Sequence, residues 1–232
     1  MTQVTYTSKK LGDVIIKSEL NQHTICSKRL VAKSLNQDEA RFLVDKYIHL
    51  LENPENTRLF GEGEPWTPTA VEKFIQDEMN CWNSGNKFSV FSIYLSATQE
   101  FIGYLHIKHS LKDFSNVGIG HPNVGELIYI IDQAFWGKGY GTEIAILGKK
   151  FIKHIISESA NETLEKNIKE IVATAHPLNE GSKKILQKTL KNQEQHEFTK
   201  FNGQPRLLFF KPLKTNVIWA DESNALTAKL DL

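Results

Sequence analysis

The 232-residue chain has only two cysteines, Cys26 and Cys81, and two methionines. Two cysteines with no CxxC spacing make no disulfide framework. Both read as free thiols in a reducing compartment, with buried structural cysteine the simplest role. No apolar run approaches the ~18 residues of a membrane span. Met1 to Asp13 is polar and lacks the apolar stretch of a signal peptide. The expectation is a soluble cytoplasmic protein without membrane attachment. The formal net charge is +1, which gives no bulk footprint for nucleic acid, so no nucleic-acid partner is expected. There is no internal repeat and no low-complexity tract. The eight histidines are scattered, and His106 and His109 on a strand point to opposite faces, so no metal site is expected.

What remains is ordinary for one globular domain: 40% hydrophobic and 24% charged residues. Met1 to Asp13 reads as loose, Val14 to Glu19 as a short strand, and Arg29 to Leu35 as a better one. After a cap at Asn36 or Asp38, apolar residues from Ala40 to Leu51 follow helical spacing. Asn53 to Pro65 reads as a loop. Thr67-Pro68 opens a second helix with Val71, Phe74, Ile75, Met79 and Trp82 on one face. Strands are expected at Phe88 to Leu95, Phe101 to Lys108 and Glu126 to Ile131, with a long loop at Leu111 to Val124. A helix over Tyr140 to Ile156, a strand over Ile168 to Ala175, a helix from Asn179, and two strands turning at Asn202-Gly203 follow. The order predicts a mixed α/β (α+β) domain, antiparallel at its centre, with a late β-α-β crossover.

Between the strand ending at Ile131 and the next helix stands Gly137-Lys138-Gly139-Tyr140-Gly141. Alternate glycines allow positive φ and close backbone approach. The helix that follows offers unpaired N–H groups and the positive end of its dipole. Together these suit a pyrophosphate. Taken alone, the segment fits a tight structural turn equally well. It is no P-loop, because no Gly-Lys-Ser/Thr ending follows at the required spacing.

The longer stretch Gly125-Glu126-Leu127-Ile128-Tyr129-Ile130-Ile131-Asp132, followed by Gln133-Ala134-Phe135-Trp136-Gly137-Lys138-Gly139-Tyr140-Gly141-Thr142-Glu143, resembles the acetyl-CoA motif of the GNAT superfamily. Its Trp-Gly-Lys-Gly-Tyr form is similar to the ribosomal-protein N-terminal acetyltransferase (RimJ/RimL-type) branch. Ile171 to Lys188, with Asn179, Ser182 and Leu186-Gln187-Lys188, resembles the family's fifth strand and following helix. Lys28 to Leu35 and Phe101 to Leu105 resemble its first and third strands. The family's usual Gly-Phe after this helix is absent, and Thr189-Leu190-Lys191 stands there instead.

The resemblance implies a mainly antiparallel sheet of about seven strands flanked by about four helices. It divides the chain into an N-terminal extension (1–26), an acetyltransferase domain (27–213) and a C-terminal tail (214–232). It implies acetyl-CoA as co-substrate and direct attack by an amine. Gly137, Lys138, Gly139, Tyr140, Gly141 and Thr142 would hold the pyrophosphate, with Lys138 either adding charge or simply solvated and Thr142 either donating its hydroxyl or capping the helix. Trp136 would belong to the same cofactor-binding loop, and Ile130 and Ile131, whose side chains read as core, would lend backbone groups to the pantetheine arm. Asn179 would bind that arm, or simply cap its helix. Ser182 would protonate the thiolate. Glu126 would be the general base, or a mouth glutamate paired with a lysine. His176 reads as a structural residue at a strand–Pro turn, with catalysis the lesser alternative. Tyr129 and Tyr140 read as packing residues. The acceptor is expected to be a protein or peptide N-terminus. A polyamine or aminoglycoside, or a non-catalytic acyl-CoA-binding module, is the alternative. Asn53 to Pro65 and Leu111 to Val124 would form the acceptor site, where Glu52, Glu55, Glu62 and Glu64 hint at polycations. Monomer and homodimer both stay open.

Overall fold

The computed structural model describes residues 1–36, 40–110, 114, 123–159, 167–193 and 198–213. One sheet organises them. Its first strands are β1 (Thr2–Ser8), β2 (Gly12–Glu19), β3 (Gln22–Cys26) and β4 (Leu30–Ser34). Helices α1 (Ala40–Glu52), α2 (Pro54–Thr57) and α3 (Pro68–Asn83) precede β5 (Val90–Leu95), β6 (Phe101–Ser110) and β7 (Val124–Ile131). Helix α4 (Tyr140–Glu158), β8 (Glu170–Ala175) and α5 (Glu180–Thr189) follow, then β9 (Asn192–Gln193), β10 (Phe198–Lys200) and β11 (Gln204–Pro212). The spatial order is β1-β2-β3-β4-β5-β6-β7-β8-β11-β10, with β9 beside β11.

The sheet has eleven strands among the described residues, not about seven, and five helices, not about four. Most of the excess comes from the N-terminus. Residues expected to be loose form β1, because Thr5 and Thr7 favour extended backbone and Val4 and Tyr6 alternate toward the protein. Val14, Ile16 and Ile25 of β2 and β3 are fully buried. The Tyr6 hydroxyl meets His154 Nδ1 of α4 at 3.0 Å. The segment read as a loop after α1 contains the single turn α2, capped by the Asn53 side chain with Pro54 at its first position. Position 38 and most of the 111–124 loop lie outside the described residues, as does 214–232. No helix among the described residues is long and apolar enough to cross a membrane.

Antiparallel pairing runs through the sheet except between β7 and β8, which are parallel. A parallel pair needs a crossover, and α4 supplies it. Its packing face is set by Gly148, where a Cβ would meet Leu127 at 2.8 Å and Leu105 at 3.3 Å. Helices α1 and α3 cover the other face, where Tyr47, Phe74 and Tyr104 stack together. The β7–β8 ladder ends at Glu126 and Val172, although both strands continue to Ile131 and Ala175. The sheet is therefore split from Leu127 onward.

Candidate active site

This split opens a cavity of about 590 Å³ that reaches both faces of the sheet. Its walls include Leu127 to Ile131 on one side and Thr174 to His176 on the other. The Asp132 N–H donates to the Ile102 carbonyl at 2.9 Å. Because main-chain groups alternate along an antiparallel ladder, the N–H and C=O of Ile130 face β6, while those of Tyr129 and Ile131 face the gap. The Ile131 carbonyl is already taken by Trp136 Nε1 at 2.7 Å. Of the expected pair, Ile130 spends its main-chain groups on β6, so the groups turned to the gap are those of Tyr129 and the N–H of Ile131, because a strand presents alternate residues at each edge.

The glycine segment forms one end of the cavity. Gly137 and Gly139 have φ of +74° and +81°, where a side chain would strain the backbone. Gly139 is the N-cap of the 19-residue α4 and supplies no side-chain cap, so the first-turn N–H groups of the helix are left for a ligand. Trp136, Gly137, Gly139, Tyr140, Gly141 and Thr142 line the cavity, and Lys138 does not. Its ammonium folds back onto the Ala134 carbonyl at 3.0 Å and lies over the Phe135 ring. Two lysines that sequence reasoning passed over, Lys184 and Lys188, line the cavity from α5. They are one helical turn apart, beside Ile185, whose Cδ1 a Cβ on Gly141 would meet at 2.5 Å.

Arg29 was also missed. It sits on the other side of the glycine loop, with Nη2 2.5 Å from Glu143 Oε2. It donates through Nη1 to the Lys138 carbonyl at 3.0 Å and covers the Tyr140 ring at 4.7 Å. Ser27 Oγ donates to Glu143 Oε1 at 2.6 Å. The start of β4 therefore clamps the loop and the first turn of α4. Nothing in the local sequence of Arg29 signals this, because the contact spans more than a hundred positions.

Asn179 caps α5, its Oδ1 accepting from Ser182 N–H at 2.9 Å, and both residues line the cavity. The Ser182 hydroxyl lies 3.1 Å from that of Tyr129. Desolvation raises the Tyr129 phenol well above its ordinary range, against the hydrogen bond to Ser182, so it stays protonated. Tyr129, expected to pack, is the hydroxyl that reaches the helix. His176 lines the cavity with Nδ1 accepting from Leu178 N–H at 3.2 Å, as suits a residue shaping the turn.

Glu126 stands elsewhere. It points to the face opposite α4, is 0% exposed, and does not line the cavity. Its carboxylate accepts from Lys200 Nζ at 2.6 Å and from Ser110 Oγ at 3.2 Å. The expected general base is thus a buried, paired carboxylate. Strand β10 supplies the lysine across 74 positions, which no local pattern could reveal.

The far end of the cavity is walled by Glu55, Asn56 and Arg58 to Gly61 around α2, with Phe201 and Arg206 from the β10–β11 hairpin. Of the four acidic residues marked in the Asn53 to Pro65 region, Glu55 alone lines the cavity, and Arg58 pairs with it at 3.3 Å.

The sequence matches the acetyltransferase (GNAT) domain family over residues 29–189. No curated protein sequence matches the chain. Among solved structures, the ribosomal-protein-S5-alanine acetyltransferase from Vibrio fischeri superimposes with a TM-score of 0.58 at 15% identity, covering 82% of this chain and 96% of that one. A GNAT-family acetyltransferase from Bacillus anthracis gives 0.57 at 15% identity, covering 82% and 97%. The RimL ribosomal L7/L12 alpha-N-protein acetyltransferase, solved with coenzyme A, gives 0.54 at 13% identity, covering 81% and 96%. At such identities the structures share the fold, and it is the domain match, over more than half of the chain, that makes this protein a member of the GNAT acetyltransferase family, acyltransferases that use acetyl-CoA.

Proposed function

We propose that the protein moves the acetyl group of acetyl-CoA to the primary amine of a protein or peptide N-terminus by direct attack. One observation carries the reading: a single cavity runs from the glycine loop, through the β7–β8 gap, to a separate wall at α2 and the β10–β11 hairpin. The two substrates enter from opposite ends and meet at the gap. At the first end, the amides of Tyr140, Gly141 and Thr142 and the charges of Lys184 and Lys188 suit a pyrophosphate. The main-chain groups of Tyr129 and the N–H of Ile131 suit an extended pantetheine arm, with the Asn179 side-chain amide beside them.

The amine nitrogen forms its bond to the thioester carbonyl carbon, and the carbon–sulfur bond breaks. The amine gives up its proton to water, and the thiolate takes one from the Tyr129–Ser182 hydroxyl pair, which water then restores. Placement does most of the catalysis. A peptide fits the acceptor end better than a polycation does, since Glu55 is neutralised by Arg58 and Arg206 adds positive charge.

The test uses the full chain, acetyl-CoA, and peptides with free or blocked N-termini, with mass spectrometry of the products. Acetylation of the free N-termini alone is expected. Acetylated polyamine with unmodified peptide would overturn the assignment.

A further inference from the structure

Arg206 is 2% exposed yet lines the acceptor end of the cavity. Its guanidinium has five N–H donors. Nη1 donates to the Pro205 carbonyl at 3.2 Å and Nη2 to the Gly61 carbonyl. One face lies over the Phe201 ring at 5.1 Å. Its other N–H groups have no partner among the described residues, and no described carboxylate lies within ion-pair distance. Desolvation pulls its pKa down to about 10, which still leaves it charged at neutral pH. The two acidic residues that line the cavity have cations of their own, Glu55 in Arg58 and Glu180 in Lys183. The two buried carboxylates of the neighbouring elements, Glu126 and Glu143, have their own cations in Lys200 and Arg29.

A buried cation without a counter-ion is unfavourable until something completes it. Two carbonyls and an aromatic ring hold this guanidinium in place, and donors that no described residue uses remain beside the cavity. Planar donors of this kind match a carboxylate in bidentate fashion. We infer that Arg206 is a specificity-determining residue that binds a carboxylate on the acceptor, so that the preferred substrate is an amine carrying an acidic group close to its N-terminus. This inference rests on the acceptor reading above. The carboxylate belongs either to an acidic side chain early in a peptide or to the α-carboxylate of a free amino acid.

The experiment compares matched acceptors: a Ser-Asp-Ala amide against a Ser-Asn-Ala amide, and free serine against serine amide. Release of CoA and equilibrium binding of each acceptor are both measured. The wild type is expected to favour the acidic member of one pair by about tenfold or more in kcat/KM. Which pair responds identifies the source of the carboxylate. In Arg206→Gln the ratio falls toward one, because KM rises more for the acidic acceptor than for the neutral one, while the acetyl-CoA melting shift is kept. Arg206→Lys retains part of the preference. A purely structural Arg206 would lower both members of a pair equally. A wild type that acetylates a free N-terminus yet shows no preference in either pair overturns the inference and leaves the acceptor reading intact. If no peptide or amino acid is acetylated, the acceptor reading fails. Binding then decides the inference alone: tighter binding of the acidic member supports it, and equal binding overturns it.

Discussion

The hydroxyls of Tyr129 and Ser182 lie 3.1 Å apart, one from the splayed end of β7 and the other from the first turn of α5. They bridge the gap that the proposed function assigns to the thioester. Tyr129→Phe and Ser182→Ala should each lower kcat by about tenfold to a hundredfold with little change in acetyl-CoA affinity. Because the two act as one unit, the double variant should be no slower than the worse single one. Steady-state kinetics with calorimetric binding checks this. Additive losses, or a loss confined to binding, would place the pair outside the proton path.

Glu126 and Lys200 form the deepest ion pair described, at 2.6 Å. Lys200→Met leaves the carboxylate buried and unpaired, which should cost about 3–5 kcal/mol of stability. A combined Lys200→Met and Glu126→Leu exchange should recover most of that in urea unfolding. Glu126→Gln should leave kcat within about threefold of wild type, since the side chain does not line the cavity. A hundredfold drop in turnover, with stability unchanged, would restore it as the general base.

His23 packs against Trp82 and Phe151 and meets Ser18 Oγ at 2.8 Å. Burial holds its imidazole down at about 4 against an ordinary 6.5, with Lys87 and His154 adding to the effect. The unfolded chain therefore binds more protons than the folded chain between those values. Stability from His23 is full above pH 6.5 and is lost as pH falls toward 4. His106, lowered to about 4 by burial, has the same sign, and Glu78 beside it, raised by burial, has the opposite one. His23→Gln should flatten the fall in melting temperature between pH 6.5 and 4. An unchanged slope would contradict the assignment.

Much of this site was legible from residues close together in the chain. The glycine loop, the strand before it and the Asn179–Ser182 spacing are local patterns, and the structure brings Gly137, Gly139 to Thr142, Asn179 and Ser182 to one cavity. What escaped is non-local. The side chain that reaches Ser182 is Tyr129 because the β7–β8 ladder stops at Glu126, and strand divergence leaves no trace in composition. Lys200 and Arg206 read only as strand residues, since their partners Glu126 and Gly61 lie far back in sequence. Strand β1 was missed for another reason: its residues are exposed or half-buried and mostly polar, so its apolar alternation is thin.

The central claim is that the glycine loop and the β7–β8 gap hold acetyl-CoA. Thermal unfolding of the wild type and of Gly139→Glu, each with and without acetyl-CoA, tests it most directly. Ligand at about a hundred times its Kd adds about 2.7 kcal/mol to the native state. In a domain of this size that raises Tm by about 5–10 °C. The glutamate places a side chain at φ +81° and a negative charge at the proposed pyrophosphate site, so the rise should vanish in the variant while the fold persists. No rise in the wild type at saturating acetyl-CoA, or an equal rise in Gly139→Glu, would contradict the account.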